Sequence, residues 1–117
     1  MSVKALVAVE SPWAGLGAGE KAAEYLRNCL RDSLAHDELP WASHCMLAMS
    51  RALWEEDEDQ RAEGLEVNRD FIQHYATKVI FYTDYGMSPG MQKARLWAGM
   101  YGKAIEFRKI YGEKSNG

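Results

Sequence analysis

The chain has 117 residues, of which 47% are hydrophobic and 26% are charged. This length suits one globular domain with one core, so we expect a single domain over residues 1–117, with a frayed tail at 113–117. With 14 basic and 17 acidic residues, the net charge is −3, and the basic residues are spread along the chain. Nothing here resembles a basic surface for a nucleic-acid backbone, and no nucleic-acid partner is predicted.

No apolar run is long enough to span a bilayer, and Met1–Lys4 leads into a strand-like segment instead of a signal peptide. We therefore expect a cytoplasmic protein with no membrane partner. The two cysteines, Cys29 and Cys45, lack the spacing of metal ligands, so neither a metal site nor a disulfide is predicted. The chain carries no HExxH, Walker or GxSxG motif, and no cofactor is predicted.

The first half of the chain predicts two strands and two helices. The stretch Val3–Val9 is apolar and rich in β-branched residues, which is typical of a buried strand. Glycines and a proline fill Glu10–Gly19, which predicts an irregular loop before a helix at Glu20–Ala35. A short strand is expected at Leu39–Ala42, and the apolar stretch Cys45–Trp54 predicts a second helix.

The second half predicts a helix at Gln60–Tyr75, a strand at Thr77–Thr83 and a last strand at Ala104–Phe107. Between these two strands, a further helix is expected to begin near Pro89 and to stop at Gly102. Strands that alternate with helices favour parallel pairing, because parallel neighbours need a long connection. The sequence therefore predicts a three-layer α/β fold, with helices on both faces of a parallel sheet of four or five strands.

Ligands of open α/β sheets bind outside the carboxyl ends of the strands. Three predicted loops follow such ends, namely Glu10–Gly19, Ser43–His44 and Asp84–Met91. In the third loop, Ser88 suits the N-cap of the next helix, and Gly90 would let a ligand approach backbone N–H groups. We therefore expect one crevice with an anion or phosphate site, although both residues also suit a plain turn.

Several side chains of this crevice have two possible roles. Trp13 could stack on a base or pack on the first helix, and His44 could contact a ligand or be a hydrogen-bonded structural residue. Arg61 could meet a phosphate or, as favoured here, pair with the acidic run 55–59, which is typical of a solvated turn or a helix start. The predicted ligand-binding residues are Ser11, Pro12, Trp13, His44, Arg61, Asp84, Ser88, Gly90 and Met91.

The most distinctive motif is Val79–Met91, which reads Val-Ile-Phe-Tyr-Thr-Asp-Tyr-Gly-Met-Ser-Pro-Gly-Met. Further motifs stand, in chain order, at Glu10–Gly15, Arg31–Leu34, Pro40–His44, Arg61–Gly64 and Gly102–Phe107. The ordered set resembles the nucleoside 2-deoxyribosyltransferase-like domains, and in particular an uncharacterised branch met in phages and bacteria. The resemblance extends from Val3 to Arg108, nearly the whole chain.

This resemblance implies a flavodoxin-like sheet, a nucleoside, nucleotide or related N-glycoside as ligand, and homo-oligomers whose neighbours help to close the site. Enzymes of the group use a glutamate on the helix after the glycine loop as a nucleophile at the anomeric carbon. The matching position here is Ala94. Glu10 and Asp84, each at a strand end, are the alternatives for a catalytic acid.

The sequence therefore favours a protein that binds a nucleotide or a nucleotide-derived small molecule without turnover. In a phage, such a protein could sequester a signalling nucleotide in the host cytoplasm. Two other functions stay open. One is a hydrolase or deoxyribosyltransferase that acts on N-glycosidic bonds of nucleosides or nucleotides, and the other is an oligomeric interaction protein with a vestigial site.

Overall fold

The computed structural model describes residues 4–13, 16–17, 19–54 and 56–111. In these ranges strands and α-helices alternate along the chain, with a π-helical segment at His44–Met49. The elements are β1 (Ala5–Glu10), α1 (Glu20–Ala35), β2 (Glu38–Trp41), α2 (Glu58–His74), β3 (Lys78–Tyr82), α3 (Pro89–Met100) and β4 (Ala104–Arg108). None of the helices within the described ranges is long and apolar enough to cross a membrane.

The four strands form one parallel sheet in the order β2-β1-β3-β4. The register pairs Ala5 with Glu38 and Val7 with Lys78, and it pairs Lys78 with Ala104. The chain thus moves from β1 to one edge of the sheet and then crosses back to β3 and β4. This is the flavodoxin-like arrangement, and its switch point lies between β1 and β3. The predicted three-layer α/β fold is confirmed, with four strands.

Both faces of the sheet are covered by helices, which explains why the central strands are apolar throughout. One core contains side chains of β1 and β3 that pack against α1, and it includes Val7, Val9, Ile80 and Tyr82. The alternate side chains of the same strands pack against α2 and α3 in a second core, which includes Ala8, Val79, Phe81, Ile72 and Ala94.

A buried ionic network ties the two edge strands together. Glu38, at the start of β2, is 4% exposed. It accepts hydrogen bonds of 2.7 Å from Arg108 Nη2 and from Ser33 Oγ, and Lys78 Nζ lies 3.0 Å from its carboxylate. Burial opposes ionisation of this carboxyl, but the hydrogen bonds from Arg108, Ser33 and Lys78 prevail and lower the pKa of Glu38 to about 2.

Most predicted elements are confirmed with ends that shift by one or two residues, and α1 has its predicted bounds. The predicted helix at Cys45–Trp54 is confirmed only in its first half, since His44–Met49 is π-helical and the chain leaves this path after Met49. There Ser50 Oγ bonds the backbone at Met46 and Ala52, and Arg51 adopts a left-handed φ of 64°. The start of the predicted strand at Val3 and the tail at 113–117 lie outside the described residues.

Candidate functional site

A cleft of about 490 Å³ lies at the carboxyl edge of the sheet, where β2, β1 and β3 end. Pockets for small molecules typically measure about 300 to 1,000 Å³. The three loops that the sequence predicts to converge do meet here, together with the first turns of α2 and α3. The described lining consists of Pro12, Trp13, Leu16, Ser43, His44, Leu47, Arg61, Gly64, Leu65, Tyr85, Met87, Ser88, Pro89, Gly90 and Lys93.

An aromatic wall bounds the cleft on the side of β2. The rings of Trp13 and His44 stack with their centroids 5.4 Å apart and an interplanar angle of 14°. Trp13 is 6% exposed and packs into the core beneath α1, which is one of its two predicted roles, while stacking on a base stays a prediction. Desolvation lowers the pKa of His44 to about 4, and its ring is therefore neutral at physiological pH. This wall offers aromatic surface instead of charge.

The N-terminus of α3 bounds the cleft on the side of β3. Ser88 is the N-cap, as predicted, and its Oγ accepts a 3.2 Å hydrogen bond from Met91 N–H, while its carbonyl accepts one from Gln92 N–H. Pro89 has no N–H, so Gly90 supplies the first-turn N–H that this cap leaves available. Of the backbone N–H groups that a ligand was expected to approach at this helix start, one is thus left available. Lys93, one turn further along α3, adds a cationic side chain.

The charged side chains in the described lining of the cleft are both cationic, Arg61 and Lys93, although the chain as a whole carries a net charge of −3. The acidic run begins α2, with Asp57 as N-cap, while Glu55 lies outside the described residues. The ion pairs found among the described residues involve other cations, so the favoured pairing of Arg61 with its acidic neighbours is not seen there. Nor does the described part of the chain hold a group of three or more side chains suited to a metal ion.

A buried polar cluster of Glu10, Ser11 and Asn68 lies outside the described lining, although Ser11 precedes Pro12 and Asn68 lies one helical turn after Gly64. The three residues are 5%, 1% and 4% exposed. Asn68 Nδ2 donates a 2.8 Å hydrogen bond to Glu10 Oε2. Burial raises the pKa of Glu10 to about 7, and the hydrogen bond from Asn68 offsets this only in part. Ser11 Oγ and Asn68 Oδ1 have no hydrogen-bond partner in the described part of the chain. The cluster therefore holds a proton-binding carboxyl and two unpaired polar atoms.

Asp84 has a structural role. Its carboxylate accepts a 2.6 Å hydrogen bond from the Tyr25 hydroxyl and further bonds from the backbone N–H groups of Ile110 and Tyr111. Burial opposes its ionisation, but these bonds prevail and hold the pKa of Asp84 below its usual value. Asp84 thus fastens the segment after β4 to α1, and it does not line the cleft.

A family model described as a domain of unknown function, DUF7768, matches residues 5–108. The chain belongs to the DUF7768 family. It matches no curated protein.

In this DUF7768 domain, six of the nine predicted ligand-binding residues line the cleft: Pro12, Trp13, His44, Arg61, Ser88 and Gly90. Ser11, Asp84 and Met91 lie outside the lining. Met91 is buried in the core between the sheet and α3, where it is 1% exposed. Ala94, which the resemblance matches to the nucleophile, is fully buried in the same core.

Sequence reasoning missed Lys93 and Asn68. Lys93 follows Pro89 by four residues on a predicted helix, a spacing that places both on one face, so its position could have been inferred. Asn68 carried no such signal, because its importance depends on contact with Glu10, 58 residues away in the chain.

Proposed function

We propose that the cleft binds a nucleotide-type ligand without turning it over. In this proposal the base lies against the wall of Trp13 and His44, and the phosphate lies near Gly90 N–H, Lys93 and Arg61. The observation that carries the proposal is the charge of the described lining, which has two cations and no acid in a chain with a surplus of acids. Positive lining next to aromatic surface favours an anionic ligand with a flat ring.

The order of the strands sets the distance between the two ends of the cleft, and this distance supports a ligand the size of a mononucleotide. His44 follows β2 and Ser88 follows β3, and β1 lies between these strands. Because neighbouring strands lie about 4.8 Å apart, the two ends of the cleft are separated by roughly 10 Å. A mononucleotide, with its base at one end and its 5′-phosphate at the other, suits this separation.

The same site argues against chemistry at the anomeric carbon. A carboxylate nucleophile must reach that carbon. The position matched to the nucleophile, Ala94, is buried in the core, and the oxygens of Asp84 are engaged by hydrogen bonds. Burial raises the pKa of Glu10 to about 7, so its carboxyl, which accepts a hydrogen bond from Asn68, is partly protonated at neutral pH and is a poor nucleophile. Release of free base from a nucleotide during incubation, followed by chromatography, would contradict this part of the proposal.

The charged end of the cleft is tested by titrating nucleoside 5′-monophosphates in a calorimeter. We expect Lys93→Ala and Arg61→Ala each to weaken binding by about tenfold or more, since each removes a charge-assisted contact. The matched control is Arg31→Ala, which removes an exposed arginine of α1 away from the cleft. Unchanged affinity in both cleft variants, or no binding by the wild type, would overturn the proposal.

Gly90→Ala separates ligand binding from stability. A Cβ atom at this position meets no other atom within 4 Å, so the fold accepts it, and alanine favours a helix over glycine by up to about 1 kcal/mol. The melting temperature should therefore stay the same or rise, while the nucleotide affinity falls because the methyl group covers the approach to the N–H. Unchanged affinity would show that no phosphate lies at Gly90.

We further propose that the protein acts in the cytoplasm as a homo-oligomer, and that in a phage-infected cell it withholds a signalling nucleotide from the host. Binding without turnover suits sequestration, because the ligand stays intact and is only removed from solution. Native mass spectrometry of the protein purified from cells measures both the subunit count and any retained nucleotide. A monomer would refute the proposed assembly, and nucleotide-free protein that also fails in the titrations would refute sequestration.

A further inference from the structure

We propose that the buried polar cluster of Glu10, Ser11 and Asn68 recognises the sugar hydroxyls of the ligand, a role that rests on the nucleotide-binding function proposed above. The cluster is separate from the aromatic wall and from the cationic end of the cleft. It would make the cleft select ribonucleotides over their deoxy analogues.

The position of the cluster along the cleft supports this role. Glu10 and Ser11 stand at the end of β1, which lies between β2 and β3 in the sheet. The aromatic wall follows β2 and β1, and the cationic end follows β3, so the cluster lies near the middle of the span. In a mononucleotide the sugar joins the base to the phosphate, and it occupies this middle position when the two ends are bound as proposed.

Two elements bring the cluster next to the cleft. Ser11 directly precedes Pro12 and Trp13, which line it. Asn68 lies one helical turn after Gly64, which also lines it, and so on the same face of α2. The hydrogen bond from Asn68 to Glu10 joins the two elements at this level.

The chemistry of the cluster suits hydroxyl groups. A hydroxyl donates one hydrogen bond and accepts others. Asn68 Oδ1 is an unpaired acceptor, and Ser11 Oγ can both donate and accept, yet both are buried without a partner in the described part of the chain. The carboxyl of Glu10, which accepts a hydrogen bond from Asn68, adds a further polar group. Buried polar atoms without partners are unfavourable, and a pair of sugar hydroxyls would satisfy them.

The test compares one nucleotide with its deoxy analogues on wild type and variants. The nucleoside 5′-monophosphate that binds wild type most tightly is titrated beside its 2′-deoxy and 3′-deoxy forms. We expect wild type to prefer the ribonucleotide over at least one deoxy form by about tenfold or more, the effect of one hydrogen bond to a charged or buried group. Ser11→Ala and Asn68→Ala should abolish this preference by weakening ribonucleotide binding alone.

The deoxy analogues also act as the folding control. A variant that binds the deoxy form as tightly as wild type does is folded around the cleft. Glu10→Gln, which keeps the shape of the side chain, is a conservative third variant. The matched control Asn28→Ala removes an asparagine of α1 that bonds Tyr111, and it should keep the preference.

The outcomes separate the two proposals. Equal affinity of wild type for all three nucleotides, with binding still weakened by Lys93→Ala, would overturn sugar recognition and leave the nucleotide site intact. Sugar recognition would also be overturned if Ser11→Ala and Asn68→Ala both kept the preference. Failure of every nucleotide to bind wild type would overturn the proposed function and, with it, this inference.

Discussion

The substitution Glu10→Gln is expected to stabilise the protein above pH 7 and to leave its stability unchanged below pH 4.5. Burial raises the pKa of Glu10 from 4.5 to about 7 in the folded protein, against the smaller opposite effect of the Asn68 hydrogen bond. Because the folded state binds this proton more tightly than the unfolded state, the contribution of Glu10 to stability is fully present below pH 4.5. It is lost as the pH rises to 7 and through it.

The interval between the pKa of Glu10 in the unfolded and in the folded protein sets the size of this stabilisation. At about 1.4 kcal/mol for each tenfold change, the interval from 4.5 to about 7 corresponds to about 3 kcal/mol. Glutamine has the shape of the protonated acid and does not titrate, so the free energy of unfolding of the variant should exceed that of wild type by this amount at high pH.

Urea denaturation of both proteins, from pH 4.5 to about pH 8, measures this difference directly. The control Glu24→Gln changes an exposed carboxyl of α1, and its curve should run parallel to that of wild type. A constant free-energy difference between wild type and Glu10→Gln across the whole range would refute the reasoning, because it would mean that Glu10 is hydrated in the folded protein.

Three further predictions concern stability and chemistry. Asp84→Ala, which removes the acceptor of Tyr25 and of the segment after β4, should lower the free energy of unfolding by about 2 to 4 kcal/mol in urea and expose that segment to limited proteolysis. Glu38→Gln removes a buried carboxylate partner of Arg108, which keeps its ion pair with Glu106, so the free energy of unfolding in urea should fall by about 2 to 3 kcal/mol. The wild-type contribution of Glu38 is present above pH 4.5 and is lost as the pH falls towards 2. Ala94→Glu buries a carboxyl in the core, so it should lower the melting temperature and release no free base from nucleosides by chromatography.

Local signals were sufficient to predict most of the fold. The apolar stretch around Ile80 predicts a strand covered on both faces, and Ser88 and Pro89 mark the start of α3 through their cap geometry. Gly102, with a φ of 66°, ends the same helix. The end of the helical path after Met49 could not be predicted in this way, since the left-handed conformation of Arg51 has no signature in its neighbouring residues.

The site was predictable in outline, because the rule for open α/β sheets places the loops after β1, β2 and β3 at one edge. The roles of individual residues in the site were not predictable. Asp84 stands at a strand end, where a functional carboxylate is expected, but its partner Tyr25 lies 59 residues away. The same limit applies to Glu10 and Asn68, whose pairing depends on how α2 packs on the sheet.

The bond between Arg108 and Glu38 joins residues that are 70 positions apart. During synthesis, β2 leaves the ribosome long before β4, and the carboxylate of Glu38 has no arginine to meet until then. Until that point the buried carboxylate can pair only with Lys78 of β3 and lacks the two hydrogen bonds that Arg108 donates, so its burial is less favourable. A nascent chain arrested before residue 108 should therefore remain sensitive to protease, and the domain should acquire its final resistance in one late step that requires its last strand.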